Sequence, residues 1–297
     1  MTRPIVPPKK ALGQHFLHDQ LVLGRIAELA TPHAGSGIVE IGAGTGNLTA
    51  HLLAHFPYVV GQLPPLTLLE IDPRTPAVLA ARFAHRAVDA TGAFCRLAMG
   101  DAAHADWNAI LWQQDLGPAP IVVGNLPYYA AMPILFALLD LARPPSRIVI
   151  MVQKEVAERL VAAPSTPQIG QISVKVQLRA AVRIAFKVGR GAFQPPPNVD
   201  SAVIVIEPRA TPAFALPPWP AMSRLITAGF AVRRKTLVNA LGQAGYAAPA
   251  VIAALAAVGA DSRIRAEALT LTQWARIGLA LSPSKGPGTK TAPGEAL

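Results

Sequence analysis

The chain has 297 residues, 52% hydrophobic and 15% charged, enough apolar material for one well-packed domain plus a smaller one, which excludes a chain disordered throughout. Lys and Arg number 27 against 17 Asp and Glu, a formal charge of +10 that suits RNA or DNA through counterion release without by itself separating nucleic acid from a membrane surface. A single cysteine, Cys95, excludes a disulfide framework and a cysteine-based zinc site within one chain, and is read as a buried inert thiol. Residues 1–10 are Pro-rich and basic without an apolar segment behind them, so no signal peptide is expected. No run of about 18 apolar residues follows. A soluble, cytoplasmic protein with no membrane partner is predicted.

In chain order, residues 1–36 read as a basic N-terminal segment and a helix. From 37 onward short β-branched runs at 37–41, 67–71, 93–97, 121–123 and 146–152 alternate with helical stretches, one opening at Asn47 and one over 130–141. This alternation predicts βαβ units and a parallel, doubly wound α/β sheet over 37–209. Two further strands, 180–188 and 201–206, joined by a Gly/Pro-rich loop over 189–198, predict an antiparallel hairpin at one sheet edge. Past Pro217-Pro218 the period is helical, with segments near 219–229, 233–243, 249–258 and 266–280, and predicts a small all-helical domain over 210–281. Residues 282–297, rich in Pro, Gly, Lys and Ser, are expected to be a disordered tail.

Glu40-Ile41-Gly42-Ala43-Gly44-Thr45-Gly46 follows the first strand and opens a helix. Glycines 42, 44 and 46 let the backbone turn tightly and approach a ligand, but Asn47 stands where a dinucleotide fingerprint wants glycine. That departure favours S-adenosyl-L-methionine over NAD; a glycine turn with no ligand is the plainer alternative. Glu70, at the end of the second strand, fits an acid that bridges a ribose diol, although it lies farther past the glycine turn than the usual spacing. An insertion at 56–65 accounts for the excess. Asp101, closing the third strand, is placed to accept from the adenine amine of a cofactor. Successive acids at strand ends reinforce each other, since open α/β sheets bind ligands at the carboxyl ends of their strands.

The most informative stretch is Gly124-Asn125-Leu126-Pro127-Tyr128-Tyr129. The amine of adenine is a poor nucleophile because its lone pair is delocalised into the ring. The Asn125 side-chain oxygen and the Leu126 carbonyl would accept its two N–H groups and stabilise the charge growing on nitrogen, with Pro127 fixing the turn and Tyr128 stacking on the unpaired base. A plain turn at a strand end is the alternative. Phe193, on a loop stiffened by Pro195-Pro196-Pro197, offers a second aromatic over the pocket, or else a core anchor for that loop. Lys9-Lys10 and Arg233-Arg234-Lys235, the latter starting a helix, are candidate phosphate contacts or solvated faces. His15 has no second ligand at metal spacing, so no metal site is expected and a cofactor-lining or structural role is preferred.

Together with Lys9-Lys10-Ala11-Leu12-Gly13-Gln14-His15-Phe16-Leu17, Gln153-Lys154-Glu155-Val156-Ala157-Glu158-Arg159 and residues 193–202, these motifs occur in an order that resembles the bacterial small-subunit ribosomal RNA adenine dimethyltransferases over about residues 9–280. The resemblance implies transfer of four methyl groups from S-adenosyl-L-methionine to two adjacent adenosines in the 3'-terminal hairpin of 16S rRNA within a 30S particle, and a monomer is expected. It also implies that His15, Leu17, Gly42, Glu70, Asp101 and Asn125 line the cofactor site. Three features depart from the pattern: His15 for the usual Asn, Ile169-Gly170 for the usual Tyr-Gly, and the 56–65 insertion. A 23S rRNA adenine methyltransferase of the antibiotic-resistance type and a non-catalytic assembly factor are the alternatives. A DNA adenine methyltransferase is more distant, because Leu126 occupies the first Pro position of its motif.

Overall fold

A computed structural model describes residues 6–9, 12–33, 35–55, 66–83, 88–89, 95–113, 116–209, 211, 213–232 and 234–282. The insertion at 56–65 and the tail beyond 282 lie outside the described residues. The chain divides into two compact units, one of residues 1–161 and 179–211 and one of 162–178 and 212–297. The span 37–209 is therefore not continuous in one unit, because 162–178 packs with the C-terminal helices.

In the first unit the strands are β1 (Phe16–Leu17), β2 (Ile38–Ile41), β3 (Leu66–Glu70), β4 (Val88–Asp89), β5 (Cys95–Met99), β6 (Ile121–Asn125), β7 (Arg147–Gln153), β8 (Ala180–Val188), β9 (Phe193–Gln194) and β10 (Ser201–Pro208). Its helices are α1 (Gln20–Leu29), α2 (Asn47–His55), α3 (Thr75–Phe83), α4 (Trp107–Trp112), α5 (Ala131–Leu139) and α6 (Lys154–Leu160). Eight strands form one sheet in the order β4-β5-β3-β2-β6-β7-β10-β8. From β4 to β7 the neighbours run parallel, whereas β10 pairs antiparallel with both β7 and β8. The expected hairpin thus closes one end of the sheet. The parallel strands read as apolar runs because helices cover both faces, and β2 and β3 are buried at every position. Gly124 lets β6 close on β2, since a Cβ there would stand 2.7 Å from the Ile41 carbonyl oxygen.

Several boundaries move for local reasons. The third run, expected over 93–97, is the strand Cys95–Met99, and residues 93 and 94 lie outside the described residues. Cys95 is buried, and burial pushes its thiol up to about 12, which keeps it unreactive. The strand expected at 121–123 runs on to Asn125, so the start of the Asn-Leu-Pro-Tyr stretch is held by the ladder to Met151. Asp19 caps α1 by accepting from the Leu21 and Val22 N–H groups.

The second unit holds α7 (Gln171–Gln177), α8 (Trp219–Phe230), α9 (Leu237–Gln243), α10 (Ala248–Ala257) and α11 (Leu271–Leu281). Its core surrounds the fully buried Trp274 with Met222, Leu225, Ile226, Leu241 and Leu255. Trp274 comes so close to α8 that a Cβ at Gly229 would lie 2.6 Å from its ring. The helix expected from 233 begins at Leu237, because the Thr236 hydroxyl accepts from the Asn239 N–H and ends the preceding turn. Arg234 and Lys235 therefore precede the helix instead of starting it. The segment 266–280 likewise splits, with a short 3-10 turn at Ala266–Ala268 and then α11 behind a Thr270–Gln273 capping box. Among the described residues no helix is long and apolar enough to cross a membrane, and no cluster of three His, Cys, Asp or Glu side chains could hold a metal ion.

Candidate active site

Strand β2 lies between β3 and β6, so the chain leaves it toward one side of the sheet and later returns on the other. That reversal opens a crevice at the carboxyl ends of the strands. A cavity occupies it, and His15, Gly42, Gly44, Glu70, Asp101, Asn125, Leu126, Pro127, Tyr128 and Phe193 all line it. Leu17 lines a smaller cavity that shares Gly42, Gly44 and Asn125 with the first. Gly46 lines neither. A Cβ there would lie 2.6 Å from the Phe83 ring, so this glycine serves the packing of α2 on α3. Gly42 and Gly44 both take left-handed backbone, with φ of 70° and 55°.

Asn125 ends β6, and its Nδ2 donates to the His15 carbonyl at 3.0 Å. This fixes the amide's orientation. Its Oδ1 and the Leu126 carbonyl oxygen accept no hydrogen bond among the described residues. Pro127 starts the turn into α5, its carbonyl accepting from the Ala130 and Ala131 N–H groups. Tyr128 is half-buried, with its hydroxyl 2.8 Å from Ser201 Oγ and its ring 6.3 Å from the His15 ring at 24°. Burial holds its phenol above the ordinary value, so it is neutral. Tyr129, which the sequence reading passed over, lines the same cavity and is 64% exposed.

The acids are more occupied than their spacing suggested. Glu70 is buried, with Oε2 accepting from the Gly44 N–H at 2.7 Å and Oε1 from the Ile71 and Asp72 N–H groups, each at 2.8 Å. Of the roughly four acceptor sites on a carboxylate, three are taken. Asp101 accepts from the Ala103 N–H and faces His104 Nδ1, and these contacts hold its carboxyl below the usual range. Two further acids have surroundings that the sequence did not assign them. Glu40 is fully enclosed beside the glycine turn, with Oε2 bound by the Thr49 hydroxyl, and burial raises its carboxyl to about 7. The acid preceding the three glycines was the available signal. Asp72 accepts from Arg74 and from Gln14 Nε2, and the Arg74 guanidinium chiefly holds it well below the usual carboxylate range.

The Gln14 contact ties the N-terminal segment across the cavity. Beyond it, His15 Nδ1 donates to the Pro195 carbonyl at 2.9 Å, and β1 pairs with β9, Leu17 opposite Phe193. His15 thus works through its ring and its carbonyl, and the carbonyl's bond to Asn125 does not depend on the side chain. Phe193 stands on β9 and not on the expected loop. Pairing with β1 draws it into the core at 2% exposure, where its ring forms cavity wall. Of the basic residues, Lys9 is exposed in the first unit and Arg234 and Lys235 are exposed in the second, while Lys10 and Arg233 lie outside the described residues.

The family model described as ribosomal RNA adenine dimethylase matches residues 7–277. A ribosomal RNA small subunit methyltransferase A from Anaeromyxobacter dehalogenans is 43% identical, covering 92% of this chain and 93% of its own. The protein of the same name from Geobacter sulfurreducens is 37% identical, covering 91% and 93%. Among solved structures, a dimethyladenosine transferase from Plasmodium falciparum superposes with a TM-score of 0.71 at 22% identity, covering 89% of this chain and 96% of its own. The 23S rRNA methyltransferase ErmE does so at 0.64 and 24%, covering 90% and 99%. At those identities the two structures speak for the fold alone, while the family match and the curated relatives span nearly the whole chain. The chain belongs to the ribosomal RNA adenine dimethylase family.

Proposed function

We propose that this protein transfers methyl groups from S-adenosyl-L-methionine to N6 of two adjacent adenosines in the 3'-terminal hairpin of 16S rRNA, in the 30S particle or its precursor, to give N6,N6-dimethyladenosine. It acts as a cytoplasmic monomer in small-subunit biogenesis. The observation that carries this reading is the pair of unpartnered acceptors, Asn125 Oδ1 and the Leu126 carbonyl, beside the Tyr128 ring at the switch point of the sheet.

The adenine amine offers two N–H donors, and the site offers two acceptors that nothing else claims. Accepting both turns the nitrogen lone pair out of conjugation and stabilises the positive charge that develops on it. The His15 carbonyl holds the Asn125 amide so that its oxygen is the atom left over. Tyr128 supplies the stacking surface for a base taken out of its helix. S-adenosyl-L-methionine, when bound, supplies a methyl group on a positively charged sulfur, so no side chain has to act as general base before attack. The residues fit that cofactor: the left-handed backbone at Gly42 and Gly44 leaves the wall open, and a Cβ at Gly44 would press to 3.2 Å from Phe16. Glu70 keeps one acceptor site, which suits a single ribose hydroxyl instead of the bridged diol first expected, and Asp101 retains capacity for an amine.

The deciding assay follows labelled methyl transfer onto undermethylated 30S particles, 50S particles and duplex DNA. Label recovered as dimethyladenosine in 16S rRNA, and lost in Asn125→Ala, is the expected result. Label confined to 50S RNA would replace this reading with the resistance type, and tight 30S binding without label would make the protein an assembly factor. Lys9, Lys10, Arg233, Arg234 and Lys235 are proposed to contact rRNA phosphate. Reversing Arg234 and Lys235 to Glu should weaken 30S binding and flatten its salt dependence, and an unchanged salt slope would remove them from the interface.

A further inference from the structure

The block at residues 193–202 carries, next to its last position, a serine to which the proposed chemistry gives no role. Ser201 is fully buried at the start of β10, and its backbone is fixed on both sides, opposite Gln153 of β7 and opposite Val188 of β8. Its hydroxyl lies 2.8 Å from Tyr128 Oη, and among the described residues it has no other side-chain partner. Tyr128 belongs to the turn after β6, two strands away in the sheet order. This one bond therefore ties the hydroxyl end of the ring to a strand paired on both sides.

We infer that Ser201 is a positioning residue, whose hydroxyl holds the Tyr128 ring against swinging away so that the target adenine meets a stacking surface already in place. The inference rests on the reading of Tyr128 as the base-stacking ring. A phenylalanine at 128 would stack as broad a face but would be free to swing, and an alanine at 201 would release the tyrosine in the same way. Both changes act through the same bond. Ordering one aromatic side chain on binding costs about as much as a threefold to tenfold change in rate.

The test compares wild type, Ser201→Ala, Tyr128→Phe and the double variant in single-turnover methylation of undermethylated 30S particles at saturating S-adenosyl-L-methionine. Affinity for S-adenosylhomocysteine is measured in parallel. Each single variant is expected to slow transfer by about threefold to tenfold with cofactor affinity retained, and the double variant to be no slower than either. A purely structural serine would instead lose cofactor affinity and rate together, and its effect would multiply with that of Tyr128→Phe. Ser201→Ala at the wild-type rate, or multiplying effects, overturns the inference while leaving the proposed reaction standing. Absence of transfer by the wild type overturns both. Should Ser201→Ala fail to bind S-adenosylhomocysteine, Tyr128→Phe decides: slowed transfer with affinity retained supports the bond's role, and a wild-type rate refutes it.

Discussion

At the end of β6, Asn125 Oδ1 and the Leu126 carbonyl accept nothing from the described residues, whereas at the end of β3 the Glu70 carboxylate accepts three main-chain N–H groups and Asp72 is bound by Arg74 and Gln14. The two rims of one cavity thus treat their acceptors in opposite ways. Acceptors already satisfied by the fold hold the glycine turn and the N-terminal segment in place. Acceptors left open on an anchored strand end are ready for a ligand's donors without reorganisation. On this view catalysis depends on the open rim and stability on the saturated one.

Removing the open acceptor gives the largest expected effect. Asn125→Ala should cost about 10²- to 10³-fold in methyl transfer, the scale of losing one transition-state acceptor, with little change in thermal stability. A comparable loss of stability would mean that the open rim is structural after all. Next comes Glu70→Ala, which strands three N–H groups around a buried site and should destabilise the fold by roughly 3 kcal/mol in a denaturant titration. Cofactor affinity should fall as well, through the one ribose hydroxyl that Glu70 is proposed to accept; unchanged stability would mean that its three N–H contacts do not hold the fold.

The last effect is one of pH. Burial raises Glu40 from 4.5 to about 7, so between those values the folded state holds a proton that the unfolded chain has lost. Stability must then fall as pH rises through that window, by up to about 3 kcal/mol from this group, with the full penalty present above it. Asp72, held low, acts in the opposite sense: its contribution is present above the ordinary carboxylate range and is lost as pH falls below that range toward the depressed folded value. Glu40→Gln keeps an acceptor for Thr49 and should flatten the slope between 4.5 and 7, measured as unfolding free energy against pH. An unchanged slope would place the proton elsewhere.

Much of this arrangement was legible in the chain. The β-branched runs of β2, β3, β6 and β7 carry the parallel sheet, because strands covered on both faces must be apolar throughout. The Asn-Leu-Pro-Tyr stretch identified the open rim, and the glycines after another strand identified the turn that the Glu70 rim holds. Glu40 was in view as the acid before the glycines, yet its enclosure and raised proton affinity depend on α2 folding back to bring Thr49 onto it. Phe193 read as a loop residue because its partner strand, Phe16–Leu17, is only two residues long and lies far away in sequence. The Gln14–Asp72 and Tyr128–Ser201 bonds span 58 and 73 positions, beyond any local periodicity.

By itself, then, the sequence determined what is local or periodic: the alternating α/β elements, the left-handed glycine turn, the apolar helices of the second unit and the identity of the acceptors after β6. Tertiary structure alone decided which of those acceptors remain open. Whether a carbonyl or carboxylate is satisfied depends on donors that long-range folding brings within about 3 Å, and hydrogen-bond partners so distant in the chain leave no mark on the spacing of neighbouring residues.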